Sequence, residues 1–314
     1  MDIFEIIYLS TNLILLVDFL RNHGLIANNP ICIICREALH VQQYSRVAIQ
    51  YIWRCPRCLT RTTLFRNSFF SQVRIPPKFW VPLIYFWSAE VGIASTAATL
   101  GISRQAVGQF YQFLRDICSW YLIQNPVMLG GPGIIIEADE SSFTKAKYNI
   151  GHQLARPQQW VFGAYDPAAK IGYLQLVQRR NGPTLKGIIA QRIALGTKMY
   201  TDEWHGYLGL NQMGYQHFTV NHQHHFVDPV TGATTNHVEA YWSRAKRKFK
   251  QMYGCHGGQE LLASYLDEFM RRNRFAQAHH PAVAFQNILA HISMRYNVGG
   301  IPLNPGYDRN LLSY

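Results

Sequence analysis

Acidic residues are scarce in this sequence of 314 residues. Lys and Arg together number 30 against 18 Asp and Glu, so the formal net charge at pH 7 is +12. A chain with this excess repels cations and attracts polyanions, which favours a nucleic acid as the partner. An acidic membrane surface is the alternative, but the sequence shows neither a basic amphipathic helix nor a lipidation motif. We therefore expect DNA or RNA binding and no membrane partner.

The sequence also lacks an uninterrupted apolar run that is long enough to cross a membrane. The stretch IFEIIYLSTNLILLVDFLRNHGL comes nearest, but Asp18 interrupts it before about 20 apolar residues accumulate. Asp2 and Glu5 stand where a signal peptide carries positive charge. We predict an N-terminal amphipathic helix within residues 1–28 that packs on the rest of the protein. An intracellular protein with reduced thiols is the expectation.

Four of the six cysteines occur as two closely spaced pairs. Cys32 and Cys35 form CIIC, and Cys55 and Cys58 form CPRC. Two thiolates three positions apart can ligate one tetrahedral ion, and a spacer of about 15 to 20 residues is typical of a short hairpin between two such pairs. We predict one structural Zn²⁺ in a zinc ribbon over residues 29–72, with separate buried thiols or a redox pair as the alternatives. Whether the ribbon binds DNA or only stiffens the fold stays open.

Residues 73–128 have a helical pattern with a turn in the middle. Gly101 follows a short apolar helix, and Ser103 is suited to cap the helix that comes next. This arrangement predicts a helix-turn-helix-like segment that binds DNA, with an ordinary helical hairpin as the alternative. The side chains expected on the outer face of the second helix are those of Arg104, Gln105 and Gln109.

The pattern changes to strands at Gly130. Three apolar strand-like runs are followed by a helix, a fourth strand that ends in KMYTDEW, a fifth strand HFTVNH and a long helix that begins near TTNHVEAYW. This order predicts an α/β domain over residues 129–276, with an RNase H-like mixed five-stranded sheet and flanking helices. Residues 277–314 are rich in Pro and Gly, so we expect a loop-like C-terminal tail.

Three acids stand at informative places in this predicted domain. Asp139 ends the first strand, Asp202 ends the fourth, and Glu239 lies in the late helix. In an RNase H-like sheet the first and fourth strands are neighbours and the late helix crosses near their ends, so the acids should meet. Clustered carboxylates repel one another unless a divalent cation neutralises them, and Mg²⁺ or Mn²⁺ suits ligands that are all oxygen. We predict two ions, with Asp139 shared between them. The neighbouring acids that compete for these roles are Glu137, Glu140 and Glu203.

Basic and histidine residues near these acids are candidates for DNA contact. Helical spacing places Lys246 and Lys250 near the stripe of Glu239, where they are expected to neutralise phosphates, although a solvated basic face is the alternative. His222, in the cluster NHQHHF, is predicted to contact DNA or the active site. A second metal site at His222, His224 and His225 is the competing interpretation.

The motifs around the second and third acids are similar to those of a known family. TDEWHGY and the block VNHQHHFVDPVTGATTNHVEAYWSRAKRKFK resemble DDE transposases of the Merlin superfamily and their bacterial insertion-sequence relatives. EADES and WVFGAYD match in character and place, and the resemblance spans residues 30–275 approximately. It implies a DNA transposase that cleaves transposon ends and transfers the freed 3′ ends to target DNA by two-metal phosphoryl transfer. The catalytic carboxylates implied are Asp139, Asp202 and Glu239.

The resemblance also implies partners and a location. Transposon terminal inverted repeats and target DNA are the expected partners, and a homodimer is expected because two DNA ends must be brought together. The location would be the nucleus in a eukaryotic host and otherwise the cytoplasm or nucleoid. Two other functions stay open: a transposase-derived, non-catalytic DNA-binding or regulatory protein, and another RNase H-like nuclease.

Overall fold

The computed structural model describes residues 3–143, 159–221, 227–253, 259–275 and 280–296. These residues divide into two compact units. The first unit contains the residues up to Tyr121 together with those from Phe275 onwards, and the second contains Leu122–Arg274.

Helices and strands are numbered separately along the chain. The helices are α1 (Ile3–Thr11), α2 (Leu13–Asn22), α3 (Trp80–Ser88), α4 (Ile93–Leu100), α5 (Arg104–Gln124), α6 (Gly182–Arg192), α7 (Asn236–Tyr253), α8 (Gln259–Phe275) and α9 (Pro281–Tyr296). The strands are β1 (His40–Gln43), β2 (Tyr51–Arg54), β3 (Arg61–Thr63), β4 (Leu129–Gly130), β5 (Ile135–Ser142), β6 (Trp160–Asp166), β7 (Ile171–Val177), β8 (Ile193–Ala194), β9 (Lys198–Asp202) and β10 (Gln216–Val220).

The N-terminal segment forms two helices, where the sequence predicted one. Asn12 adopts an extended conformation between α1 and α2, and its side chain accepts hydrogen bonds from the backbone N–H groups of Ile14 and Leu15. An Asn at this position is a favourable helix N-cap, so the chain starts a new helix here. No single helix in the described part of the chain is long and apolar enough to span a membrane. The bent pair α1 and α2, at 114°, passes that test only when both helices are taken together.

Strands β1, β2 and β3 form an antiparallel three-stranded sheet between and after the two cysteine pairs. This agrees with the predicted strand-rich ribbon. The Cys32 and Cys55 side chains are buried in the hydrophobic core of the first unit. The ribbon is therefore part of the packed first unit.

The predicted loop-like tail is wrong over residues 281–296, because these residues form α9. Pro281 occupies the first turn of that helix, where its missing N–H has no helical partner to lose. Phe285, Ile288, Leu289 and Ile292 follow at helical spacing and are buried in the core of the first unit. The apolar periodicity therefore determines the local structure, and the proline only marks where the helix begins.

The second unit is built on a five-stranded sheet with the order β10-β9-β5-β6-β7. Strands β5, β6 and β7 pair antiparallel in sequence order, whereas β9 is parallel to both β5 and β10. These directions and this order are those of the RNase H-like fold, so the predicted fold class is confirmed. The first and fourth strands of the sheet, β5 and β9, are neighbours as expected.

Both faces of this sheet are covered by helices. Ile136 and Ala138 of β5 pack with Leu185 and Ile189 of α6 on one face. On the other face, residues of β6 and β7 pack against α7 and α8. Because side chains alternate along a strand, the odd-numbered residues of β5 face α7 and the even-numbered residues face α6. This alternation decides which acids of β5 can meet Glu239.

Candidate active site

Asp202 is the last residue of β9, whereas Asp139 lies within β5, which continues to Ser142 and does not end at Asp139 as the sequence predicted. The pairing of β5 with β9 runs from Ile135 opposite Lys198 to Glu137 opposite Tyr200. Continuing the same register by two residues brings Asp139 opposite Asp202. The Asp139 carboxylate accepts a hydrogen bond from the backbone N–H of Glu140 at 2.7 Å, and Asp202 accepts one from the backbone N–H of Trp204 at 3.0 Å.

Glu239 lies in the first turn of α7, whose start is anchored to β5 by Glu137. The Glu137 carboxylate accepts hydrogen bonds from the backbone N–H groups of His237 at 2.8 Å and Val238 at 3.0 Å. Its other oxygen lies 2.6 Å from Nδ1 of His237. A carboxylate at a helix N-terminus satisfies N–H groups that have no helical partner and interacts favourably with the helix dipole. From the sequence, Glu137 competes with Asp139 for the role of metal ligand. In the structure it instead anchors the helix that carries Glu239.

The other acids are close enough to Asp139 to influence its ionisation. Burial, together with the negative charges of Asp202, Glu140 and Glu239, raises the pKa of Asp139 to about 7. Asp139 and Asp202 are half-buried, whereas Glu239 is exposed. The structure thus brings the predicted acids to one end of the sheet, where burial and the neighbouring negative charges disfavour an ionised Asp139.

The remaining acids nearby have different surroundings. Glu140 points to the α6 face, where it accepts hydrogen bonds from the Tyr207 hydroxyl and from Nε of Arg180 at 3.2 Å. Burial raises the pKa of Glu140, although the bonds from Tyr207 and Arg180 act in the opposite direction. Glu203 is exposed to solvent. Glu140 is therefore engaged away from Glu239, as strand alternation requires.

The donor atoms at this end of the sheet fit a hard divalent cation. Carboxylate oxygens are the ligands that Mg²⁺ and Mn²⁺ prefer, and the pKa of Asp139 is raised first by burial and then by neighbouring negative charges that a cation would offset. Among the described residues, Asp139, Asp202 and Glu239 do not form a group whose ligand atoms all lie within 4.8 Å of one another, whereas the four cysteines do. The acids thus match a metal site in chemistry and location but are wider apart than the cysteines.

Two glycines allow α7 to lie close to the sheet. A Cβ atom at Gly163 of β6 would overlap the indole of Trp242, and one at Gly172 of β7 would overlap the ring of Tyr241. Both aromatic residues are buried on α7. The indole of Trp242 is thus a core side chain that packs α7 against the sheet, and its ring is not exposed for stacking on a DNA base.

The candidate phosphate-binding lysines of α7 differ in their surroundings. Nζ of Lys246 donates to the hydroxyl of Ser141 at 2.5 Å, and Ser141 lies on the same face of β5 as Asp139. Lys250 is exposed on the same helix. Lys246 thus contacts the face of β5 that also carries Asp139.

The histidines near the acids include the predicted contact residue His222 and two others. His222, with the cluster that it begins, lies outside the described residues. Of the neighbouring histidines, His237 bonds to Glu137, and His205 is exposed and lies with its ring against Trp204, the two ring centroids being 4.0 Å apart.

The four cysteines converge as the spacing predicted. The Sγ atoms of Cys32 and Cys58 are 3.4 Å apart, those of Cys35 and Cys55 are 3.3 Å apart, and all four lie within 4.8 Å of one another. The residue after the second cysteine of each pair, Arg36 or Leu59, has positive φ, so the two pairs share one turn geometry. Such a cluster fits one tetrahedral metal ion in a zinc ribbon.

The predicted turn between α4 and α5 also forms. Gly101 ends α4 with φ of 65°, and the Ser103 hydroxyl accepts a hydrogen bond from the backbone N–H of Ala106. A hydrogen bond of 2.9 Å between the hydroxyls of Thr96 and Tyr111 joins the two helices. The three predicted DNA-contact residues of α5 are all exposed: Arg104, Gln105 and Gln109.

Together the strand order and the pairing directions define an RNase H-like domain, and its acids lie on β5, at the end of β9 and in the first turn of α7. Residues 129–273 match the family model of the ISXO2-like transposase domain. This match supports the resemblance to insertion-sequence DDE transposases, and it covers the strands and helices that carry all three acids. A comparison with curated proteins gave no match.

Two solved structures of retroviral integrases are similar to parts of this chain. The magnesium complex of the HTLV-2 integrase catalytic core domain, in its trimeric form, is 11% identical with a TM-score of 0.31, over 48% of this chain and 92% of that one. The simian T-cell lymphotropic virus intasome in complex with the PP2A regulatory subunit B56 gamma is 13% identical with a TM-score of 0.29, over 59% of this chain and 66% of that one. Both TM-scores are below 0.5, so the fold assignment rests on the strand order and register.

Proposed function

We propose that this chain is a DDE transposase of the Merlin type that cuts DNA at transposon ends and joins the freed 3′ ends to target DNA. The observation that carries the proposal is the position of Asp139, Asp202 and Glu239 at one end of an RNase H-like sheet. The match of residues 129–273 to a transposase domain family supports the same conclusion.

Asp139, Asp202 and Glu239 are the proposed ligands of Mg²⁺ or Mn²⁺, with Asp139 shared between two ions. When bound, two such ions would activate the attacking oxygen and stabilise the leaving 3′ oxygen. The protein itself supplies one carboxylate from each of three separate elements and holds these elements and carboxylates by backbone contacts. Glu137 fixes the start of α7, and the Asp139 and Asp202 carboxylates are held by the N–H groups of Glu140 and Trp204. Asp139 would bind an ion as the ionised carboxylate, so at neutral pH it would release to solvent the proton that burial and the neighbouring charges favour with a pKa of about 7.

DNA recognition is proposed for surfaces outside the acids. Arg104, Gln105 and Gln109 are exposed at the start of α5, where a helix-turn-helix reads base edges and phosphates. Lys246 and Lys250 of α7 are proposed to bind backbone phosphates, and His222 stays a predicted contact. The cysteine cluster is proposed to bind one structural Zn²⁺. We also propose that the protein forms a homodimer on two DNA ends and is located with the host DNA.

The test is a cleavage and strand-transfer assay on duplexes that carry the terminal repeats flanking the coding sequence. Wild-type protein should cut and join in Mg²⁺ or Mn²⁺, and Asp139→Ala, Asp202→Ala and Glu239→Ala should each lose activity by about a thousandfold or more, because each removes one of the three clustered carboxylates. Undiminished activity in the three variants would refute the assigned acids.

The same assay separates the two other functions. A regulatory, non-catalytic protein would bind the repeats and leave them uncut in every divalent metal. A different RNase H-like nuclease would cut branched DNA or RNA:DNA hybrids and would produce no strand-transfer product. Cutting of the repeats with joining to a target supports the transposase alone.

A further inference from the structure

The guanidinium of Arg180 packs against two indole rings in the second unit. Its central carbon lies 4.0 Å from the ring centroid of Trp160 and 4.3 Å from that of Trp204. Trp204 also donates a hydrogen bond from Nε1 to the backbone oxygen of Arg180 at 2.9 Å. These contacts restrict the guanidinium, whose hydrogen bonds form at its edges.

The inner edge of this guanidinium is already occupied. Nε of Arg180 donates to Glu140 at 3.2 Å, and Glu140 in turn accepts from the hydroxyl of buried Tyr207. The Glu140 side chain is 1% exposed, whereas that of Arg180 is 25% exposed. Within the described part of the chain, no residue accepts a hydrogen bond from Nη1 or Nη2 of Arg180. The outer edge of a fixed, charged group thus faces solvent.

The partners of Arg180 connect it to the acidic site. Trp204, which contacts the guanidinium, donates its backbone N–H to Asp202. Glu140, which accepts from Nε of Arg180, is the chain neighbour of Asp139. Arg180 is therefore linked through one residue to each of these two acids, on the face of β5 opposite to Asp139.

We propose that Arg180 binds a phosphate of the DNA backbone next to the bond that is cut, through Nη1 and Nη2. The inference rests on the proposed function, because it is the DNA that brings a phosphate to this place. A planar guanidinium matches the two oxygens of a phosphate, and a group that is already immobilised loses little entropy on binding. Arg180 would thereby fix the position of the strand relative to Asp139 and Asp202.

No pattern in the sequence predicted the position of Arg180. It follows Arg179 in a polar stretch before α6, and the two tryptophans that contact it come from β6 and from the segment after β9. The convergence of these three segments exists only in the folded sheet.

The first test compares the salt dependence of DNA binding, with Ca²⁺ replacing Mg²⁺ so that the terminal-repeat duplex stays uncut. Arg180→Gln should lower the slope of log K against log salt by about one and weaken binding roughly ten- to a hundredfold at low salt. Arg179→Gln is the matched control, because it removes the same charge from the exposed neighbouring residue, and its slope should stay at the wild-type value. Equal losses in the two variants would overturn the proposal, since they would indicate a general effect of charge.

A second variant tests whether Arg180→Gln acts only by leaving the Glu140 carboxylate without its positively charged partner. In the double variant Arg180→Gln with Glu140→Gln no abandoned buried carboxylate remains, so folding defects from that cause are relieved. The loss of slope should persist in the double variant. Recovery of the wild-type slope would show a structural role and overturn the proposal.

A methylphosphonate scan locates the contact. Replacing phosphates one at a time by neutral methylphosphonates should weaken wild-type binding at a position adjoining the cut, and Arg180→Gln should be insensitive at that position. If wild type cuts and joins the duplex but every position affects both proteins equally, the contact is refuted and the transposase function stands. If wild type neither binds nor cuts the duplex, both proposals fall together.

Discussion

At the scale of single residues, three acids in one short strand have three different surroundings. Strand alternation sends Glu137 and Asp139 towards α7 and Glu140 towards α6. Glu137 binds the first N–H groups of α7, Asp139 faces Asp202, and Glu140 holds Arg180 and Tyr207. All three side chains end in a carboxyl group, so their roles depend on the face of the strand and the position along it that each occupies.

The raised pKa of Asp139 has a measurable consequence for stability. This carboxyl has a pKa of about 7 in the folded protein against 3.8 for an ordinary Asp. Between these values the unfolded chain is ionised while the folded protein keeps its proton, so stability falls as pH rises through this window. Asp139→Asn should therefore raise the unfolding free energy of the metal-free protein by about 2 to 4 kcal/mol near pH 8 and by progressively less towards about pH 4.5.

Thermal unfolding across this pH range, with and without Mg²⁺, measures the effect. Added Mg²⁺ should stabilise the wild type at pH 8 more than Asp139→Asn, because the ion binds the ionised carboxylate. Glu203→Gln is the control, since it removes an exposed carboxylate beside Asp202. A gain for Asp139→Asn that is the same at every pH would contradict the assigned cause.

At the scale of secondary-structure elements, the site depends on how closely α7 lies against the sheet. Gly163 is paired with Asp139 in the β5–β6 register, and the indole of Trp242 occupies the space that a side chain at Gly163 would need. The position of Glu239 is thus coupled to a glycine on a neighbouring strand.

Gly163→Ala should displace α7 and with it Glu239. We expect a loss of about 2 kcal/mol in unfolding free energy from overpacking and a fall in cleavage rate of up to about a hundredfold from misplacement of the carboxylate. Gly187→Ala on α6 is the matched control, because nothing lies within 4 Å of the added Cβ, and it should stabilise the protein by about 1 kcal/mol. Chemical denaturation measures the change in stability, and single-turnover cleavage measures the change in rate. Unchanged cleavage by Gly163→Ala would show that the packing of Trp242 on Gly163 does not determine the position of Glu239.

The sequence predicted those elements whose signal is local. Apolar periodicity and turn residues gave the order of strands and helices in the second unit, and the paired cysteines gave the ribbon. The break at Asn12 was missed because an apolar run continues on both sides of it. The sequence did not predict α9, because Pro281 and the prolines and glycines that follow Tyr296 were given more weight than the spacing of Phe285, Ile288 and Ile292. The packing of Arg180 could not be predicted, since its partners are distant in sequence.

At the scale of the whole molecule, recognition and chemistry are assigned to different compact units. The first unit contains the cysteine cluster and the exposed start of α5, and the second contains the three acids. Each unit has its own hydrophobic core. A net charge of +12 favours any polyanion whatever its sequence, so a preference for particular DNA sequences would have to come from particular side chains and not from charge alone.

Separate variants should therefore remove binding preference and cutting independently. Arg104→Gln combined with Gln109→Ala is expected to weaken binding to the terminal repeat about tenfold or more relative to an unrelated duplex, because base-edge and phosphate contacts are lost together. The Mg²⁺-dependent rise in melting temperature should stay as in the wild type, since the acids are untouched. Asp202→Asn should show the reverse: terminal-repeat affinity in the wild-type range, no cutting, and a smaller stabilisation by Mg²⁺.

Arg74→Gln is the matched control for the α5 variant, because it removes one exposed positive charge from the same unit outside the α4–α5 hairpin. Competition binding at two salt concentrations distinguishes the effects: loss of charge alone weakens binding to both duplexes equally, whereas loss of recognition changes their ratio. If Arg104→Gln with Gln109→Ala lowers affinity for both duplexes by the same factor as Arg74→Gln, α5 contributes only charge. The preference for transposon ends must then come from the ribbon or from α7, where Lys246 contacts the face of β5 that also carries Asp139.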